Sequence, residues 1–539
     1  MISLAGRAIV VSTLAPRLAF GAPKKPPTRS PGAIVGEATA AKVGQQVLAA
    51  GGNAVDAAVA AALAAGVAAP HQCGPAGYGG QMLIALAGAS KVTAIDFNTI
   101  APGAFREDVF PLDETGAVRG GVNDHGWLAT GVPGTLAGLQ LALTRYGTKS
   151  FREIAAPAIK LAKEGFPVTP GMAGAIRNNA RHLRKDPAIA RLLLVNGEPL
   201  KAGEQYANPE LAALLQTLAD RNSVGSFYRG DVAHQIADEF QRRGGLVTFG
   251  DMAACEAREV KPLSLKWGDH TIRTGPLLAG GLTTLQALSC LKVLAWDKTA
   301  PGPVRTHARV EALRLAWRDR LHLLGDPDKV NVPVEWLLSR DYAGRMADKV
   351  EAAVRAGTPL PLDAASRGQD GTVNLSCVDG QGNLVALTLT HGNAFGACVA
   401  VSGLGLILGH GMSRFEPKPG HPNSPGPRKR PLHNMCPTIV LRDRRPVLAL
   451  GGAGGRKIPN AIFDVLLHYA VMGQSWEQAL AAPRLHTEGD MNLRLEKSWP
   501  DEDVAFLKSL GYQITTGNSA LVSAAAFDRK TGECRAMAR

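Results

Sequence analysis

Residues 371–393, GTVNLSCVDGQGNLVALTLTHGN, read as two alternating strands joined by a Gly-rich turn, and they carry one charge, Asp379, at that turn. A hairpin so free of charge belongs in the interior, and a chain of 539 residues is long enough to bury it. The rest of the chain must supply its cover. Helical stretches are predicted at about 38–50 and 53–66, the first closed by Gly51-Gly52 and the second capped by Asn53. The second, AVDAAVAAALAAG, is almost all Ala and Val and can lie very close to a sheet. Helical periodicity recurs over 135–165, 228–245 and 305–324, whereas 268–276, 397–409 and 437–450 read as strands. A glycine loop, GGAGG at 451–455, then leads into a helix marked by Ile458, Ile462, Val465 and Tyr469. Strand groups interleaved with helix pairs predict an α+β protein whose sheets carry helices on their outer faces.

Composition narrows the class. Hydrophobic residues make up 45% and charged residues 19%, as in a folded protein rather than a disordered one. The net charge of +13 is scattered, and its one dense cluster, Arg428-Lys429-Arg430, lacks aromatic neighbours, so nucleic acid is not an expected partner. The seven cysteines show neither C-x-x-C nor a His partner at metal spacing, so no metal, cofactor or disulfide framework is expected. Residues 1–31 hold a short apolar run broken by Arg7, Pro16 and Arg17, too interrupted to span a bilayer. They read as the later part of an export signal with Gly21-Ala22 as its cleavage region, which predicts a periplasmic or secreted protein. A start upstream of Met1 would account for the missing basic region. If the segment is instead a plain tail, the protein is cytoplasmic.

Several catalytic templates fail. The glycine loop matches neither G-x-x-x-x-G-K-[ST] nor G-x-G-x-x-G, although its backbone N–H groups and the helix that follows would suit an oxyanion or a phosphate. No G-x-S-x-G is present. Thr372 remains. A threonine hydroxyl needs a base to take its proton, and a cut before Thr372 would create one, its own α-amino group. Gly371, small enough to let the hydroxyl reach the preceding carbonyl, suits such a cut. On these residues alone, a Gly-Thr at the head of a strand is far more often just a strand start.

Seven ordered stretches carry a resemblance over nearly all of 32–530. They are GGNAVDAAVAAALA at 51–64, TGVPGTLAGLQLALTRYGT at 130–148, FYRGDVAHQIADEFQRRGGLVTFGDMAA at 227–254, RDRLHLLGDPD at 318–328, the hairpin, KRPLHNMCPTIVL at 429–441 and GGAGGRKI at 451–458. Together they resemble the γ-glutamyltranspeptidase (glutathione hydrolase) family of N-terminal-nucleophile hydrolases. The resemblance implies a four-layer αββα sandwich made as one precursor. That precursor would cut itself between Gly371 and Thr372 into a large subunit, 32–371, and a small one, 372–539. It implies Thr372 as nucleophile and, through its amine, base; Thr390 as its supporting hydroxyl; and Gly454 and Gly455 as the oxyanion hole. The partner would be a small-molecule amide.

The departures from the family pattern fall on recognition of the glutamyl group. An arginine that would hold the substrate α-carboxylate is replaced by Asn98. The Q-M-D-D-F stretch, which supplies a carboxylate for the substrate ammonium, is Gly411-Met412-Ser413-Arg414-Phe415. A Ser-Ser pair is replaced by His433-Asn434, and a glutamyl-contacting asparagine by Gly392, with Asn393 one step away. T-T-H after the cut becomes Thr372-Val373-Asn374. Arg414 would repel an ammonium. With His433 and Arg456 it better suits a carboxylate or a neutral acyl group. The expected activity is therefore that of a self-processing threonine amidohydrolase or acyltransferase with altered acyl specificity. A true glutathione hydrolase and an inactive, uncut scaffold are the alternatives.

Overall fold

The computed structural model describes residues 30–299, 301–362 and 371–539. Two six-stranded antiparallel sheets form its centre. Their strands are β1 (Gly32–Val35), β2 (Gly79–Ala85), β3 (Val92–Asp96), β4 (Arg258–Val260), β5 (Leu263–Trp267), β6 (His270–Thr274), β7 (Val373–Asp379), β8 (Leu384–Thr390), β9 (Thr438–Arg442), β10 (Arg445–Ala453), β11 (Leu521–Asp528) and β12 (Glu533–Ala538). The first sheet runs β1-β7-β8-β2-β3-β4 and the second β12-β11-β10-β9-β6-β5.

The absence of charge from the hairpin is explained by what lies on each face. Along β7 and β8, Leu375, Cys377, Val385 and Leu387 point to a helical layer. Val378, Leu384 and Ala386 alternate with them and face Ile439, Ala449 and Ala525 of the second sheet. Both faces are buried, and each fully buried Leu or Val there contributes about 1.5–3 kcal/mol. Helices α1 (Ala38–Ala49), α2 (Ala54–Ala68), α3 (Thr135–Tyr146) and α4 (Phe151–Glu164) cover the first sheet. Helices α5 (Gly281–Val293), α6 (Pro303–Leu323), α7 (Arg340–Ala356) and α8 (Lys457–Leu466) cover the second. The order is helix, sheet, sheet, helix: the αββα sandwich.

Local chemistry explains the joints. Gly51 (φ +82°) follows α1, with Gly51 N–H on Leu48 O and Gly52 N–H on Val47 O, a Schellman closure. Asn53 and Asp56 form a capping box on α2, all of whose residues are buried, so its small side chains let it lie against β7. Asp379 accepts from Gln381 N–H, Asn383 N–H and the Asn383 amide, and also from Ala54 N–H at the start of α2. The hairpin's one charge is thus held at a helix N-terminus, where a carboxylate is favoured.

Some segments differ from the sequence reading. The helical stretch 135–165 breaks at Gly147, and α4 restarts on a Ser150/Glu153 capping box. Only Ala400–Val401 and Leu406–Ile407 pair within 397–409, because Cys398, Gly403 and Gly405 take positive φ. The strand at 437–450 is two, β9 and β10, turned at Asp443 and Arg444 (φ +48° and +65°). Of the basic cluster, Lys429 and Arg430 are buried, and Arg430 pairs with Asp326 and Asp328. All seven cysteines are buried and unbridged. Among the described residues no helix is long and apolar enough to cross a membrane. The export-signal reading of 1–31 lies almost wholly outside those residues.

Candidate active site

The site forms where the two sheets end together. Val373 pairs with Leu389, which carries Thr372 beside Thr390 at the mouth of the first sheet. Strand β10 of the second sheet ends at Ala453, and Gly454 and Gly455 (φ +136° and +61°) turn the chain into α8. A very small pocket is lined by Thr372, Thr390, Gly392, Arg414, Asn434, Gly455 and neighbours.

The bond between Gly371 and Thr372 sits in a short hydroxyl relay. Thr372 Oγ1 lies 2.5 Å from Gly371 O and 3.3 Å from Thr390 Oγ1. The Thr390 hydroxyl donates to Gly371 O at 2.6 Å and accepts from Gly392 N–H at 2.8 Å. Thr390 therefore polarises the carbonyl that the neighbouring hydroxyl would attack. Gly371 has φ +122°, and a Cβ there would stand 2.6 Å from Gly392 O, so only glycine fits.

Beneath Thr372, Asn374 donates to Ser376 Oγ and Ser523 Oγ and accepts from Thr388 Oγ1. This buried polar set joins the sheets under Gly451, where a Cβ would collide with the Asn374 amide.

The recognition residues fall into two groups. Arg414, Asn434, Thr372, Thr390 and Gly455 meet in the pocket, whereas Gly454 is not part of its lining. Asn98 is turned inward: its amide donates to Pro431 O, and it lines neither this pocket nor its neighbour. His433 is buried with neither ring nitrogen hydrogen-bonded, and burial pushes its pKa down to about 3. Asn393 reaches the site through its backbone, donating to His410 Nε2 at 2.8 Å. Arg456, expected to assist Arg414, pairs with Glu488 at 2.6 Å.

Arg414 is the unusual group. It is 9% exposed, its Nε and Nη1 make no hydrogen bond, and among the described residues no carboxylate lies within ion-pair distance. Tyr78 lies beside it, the guanidinium carbon 5.9 Å from the ring centre. A second cleft shares Arg414 and Asn434 with the pocket and adds Arg320, Trp317, Phe415 and His421. Arg320 is buried too and is held by Ala279 O, His433 O and Asn434 Oδ1, all neutral acceptors. Burial lowers its pKa to about 10. The sequence reading did not single out Arg320, although it lies within the 318–328 stretch, nor Tyr78 and His410.

Known proteins agree with this architecture. The sequence model described as Gamma-glutamyltranspeptidase matches residues 40–538. The glutathione hydrolase proenzyme of Escherichia coli (strain K12) is 34% identical over 499 residues, covering 89% of this chain and 84% of that one. The acylase ACY 1 proenzyme of Pseudomonas sp. (strain V22) is 34% identical over 512 residues, covering 93% and 90%. In fold, the chain is similar to the cephalosporin acylase from Bacillus halodurans, with a TM-score of 0.83, 24% identity and 97% of each chain covered. With the family match spanning nearly the whole αββα sandwich, the chain belongs to the γ-glutamyltranspeptidase family.

Proposed function

We propose that this chain cuts itself between Gly371 and Thr372 and then acts as an N-terminal-threonine amidohydrolase or acyltransferase whose acyl specificity has moved away from γ-glutamyl. The observation that carries this reading is the pair of hydroxyls, Thr372 and Thr390, on the Gly371 carbonyl in a pocket that also holds a buried Arg414 with no carboxylate within ion-pair distance among the described residues.

In the first reaction Thr372 Oγ1 attacks the Gly371 carbonyl carbon while the Thr390 hydroxyl stabilises the developing negative charge on its oxygen. The C–N bond breaks, the nitrogen keeps its own hydrogen and takes up the proton given up by the Thr372 hydroxyl to become an amine, and an ester joins Gly371 to Thr372 Oγ1. Water then hydrolyses the ester, leaving the large subunit, 32–371, ending in a carboxylate. The small subunit, 372–539, begins with Thr372.

In the second reaction the freed amine, with an ordinary pKa near 8, takes the Thr372 hydroxyl proton as the oxygen attacks a substrate amide. The N–H groups of Gly454 and Gly455 hold the tetrahedral oxyanion. The leaving amine departs with the proton, and water or an acceptor amine releases the acyl group from Thr372.

Arg414 and Asn434 border the acyl group. A γ-glutamyl substrate would place its ammonium near a guanidinium that has no carboxylate within ion-pair distance among the described residues, with Asn98 turned away from its carboxylate. Residues 1–31 serve in this account as an export signal, which puts the enzyme in the periplasm or outside the cell. The testing experiment is a panel of γ-glutamyl, glutaryl and oxamate-type amides offered to the processed enzyme. Turnover of a non-glutamyl amide above that of glutathione is expected; efficient glutamate release from glutathione would overturn the altered specificity.

A further inference from the structure

Between the two sheets much of the packing is apolar, with Val378, Leu384 and Ala386 against Ile439, Ala449 and Ala525. The end of that layer beneath Thr372 is polar instead. Asn374, Ser376 and Thr388 project from β7 and β8 and face Ser523 of β11. None of the four is more than 4% exposed, and none lines the pocket or the adjoining cleft.

The set is closed. The Asn374 amide donates to Ser523 Oγ at 2.8 Å and to Ser376 Oγ at 3.2 Å, and its oxygen accepts the Thr388 hydroxyl at 2.6 Å. Ser376 in turn donates to Ser523 O at 2.9 Å, and the Ser523 hydroxyl donates to Asn374 O at 3.4 Å. Every side-chain donor has an acceptor, which fixes the orientation of the amide and gives the bridge one arrangement. Gly451, the register partner of Ser523, stands against the same amide: a Cβ there would fall 2.1 Å from Asn374 Oδ1. The backbone of β10 therefore rests directly on the Asn374 side chain, whose length sets how closely the sheets approach at this end.

The place of this bridge in the chain gives it a consequence. Asn374 lies two residues after Thr372, and Gly451 three before Gly454. Thr372 belongs to the first sheet, whereas Gly454 and Gly455 follow the last residue of β10 in the second. A substrate carbonyl attacked by Thr372 and held by those two N–H groups has to span the gap between the sheets. Misplacement by about 1 Å in such an arrangement costs about 100-fold in rate. Self-cleavage makes no such demand, because Thr372, Thr390 and the Gly371 carbonyl all sit on the β7–β8 hairpin.

We propose that the Asn374 bridge sets the separation between Thr372 and the Gly454–Gly455 oxyanion hole, which makes Asn374 a positioning residue for amide turnover but not for self-cleavage. This rests on the amidohydrolase reading above.

The test follows both reactions in one protein. Freshly purified precursor gives the maturation rate on a denaturing gel, and processed enzyme gives kcat and KM on glutaryl- and γ-glutamyl-p-nitroanilide. Asn374→Leu, similar in size and unable to hydrogen-bond, should lower kcat about 100-fold on whichever anilide wild type cuts, with KM and the maturation rate within about threefold of wild type. Ser523→Ala removes only the side-chain bond to the second sheet and should lower kcat about tenfold with the same split. A bridge that serves stability alone would lower the melting temperature and leave kcat of the folded, processed enzyme unchanged; that result overturns the inference. Maturation and turnover slowed by the same factor overturn it as well. Should Asn374→Leu fail to fold, Ser523→Ala decides by the same criteria. With wild type matured and active, each of these failures sinks the positioning role alone. A wild-type chain that never matures, or matures and cuts neither anilide, contradicts the amidohydrolase reading and takes the inference with it.

Discussion

Thr390→Val keeps the shape of the residue at the end of β8 and removes its hydroxyl. In the structure that hydroxyl donates to Gly371 O at 2.6 Å and accepts Gly392 N–H at 2.8 Å. As Thr372 attacks, the Gly371 oxygen gains negative charge, so the bond from Thr390 strengthens in the transition state. Removing one such donor typically costs about 100–1000-fold in rate, or about 2.7–4 kcal/mol. Leaving the Gly392 N–H buried without its acceptor costs about 1–3 kcal/mol more in stability, but in precursor and transition state alike. Self-cleavage should therefore slow by two to three orders of magnitude while the precursor stays folded. Thr390→Ser, which keeps the hydroxyl, should stay within about tenfold of wild type. The assay is a denaturing-gel time course of freshly purified precursor, with a thermal melt on the same sample to confirm the fold. A Thr390→Val precursor that matures at the wild-type rate, with an unchanged melt, would refute the relay.

Gly371→Ala should slow maturation and destabilise the precursor by about 1–3 kcal/mol, since φ is +122° and Gly392 O stands 2.6 Å from the new Cβ; maturation kinetics and urea unfolding of the precursor check it. Asp379→Ala strips the acceptor from the buried Ala54 and Asn383 N–H groups and should cost about 2–4 kcal/mol, read as a lower urea midpoint. His433 has its pKa depressed to about 3 by burial, so as pH falls below about 6.5 the unfolded chain takes up the proton first. Its contribution to stability is therefore lost on acidification, by up to about 1.4 kcal/mol per unit, down to about pH 3. His433→Phe should accordingly lose less stability than wild type between pH 7 and 5; equal losses would contradict the assignment.

Much of this was legible in the chain because it depends on local chemistry. A hairpin with a single charge had to be buried on both faces, and Asn53 and Gly51-Gly52 signalled their caps directly. The β9–β10 turn was hidden because Asp443 and Arg444 both take positive φ without the Asn-Gly pair that usually marks it. The break at Gly147 was signalled by Ser150 and Glu153, but a helical period running through it outweighed that cue. Arg414 could be singled out from its departure from the family pattern. Its surroundings could not: His410, which accepts from Arg414, lies against Gly392 and Asn393, eighteen and seventeen positions away, and only the fold brings their backbone to its ring. Likewise, Asn98 was placed in the site by its register with the family, whereas the structure turns its amide toward Pro431.

The central claim is that Thr372 becomes the N-terminal nucleophile of a self-cut chain. Its most direct test is intact-mass measurement with N-terminal sequencing of the purified wild-type protein and of Thr372→Ala. The account predicts two wild-type chains, the smaller beginning Thr-Val-Asn-Leu, and one uncut chain for Thr372→Ala. An uncut wild-type chain that hydrolyses amides, or a Thr372→Ala chain cleaved at the same bond, would contradict it.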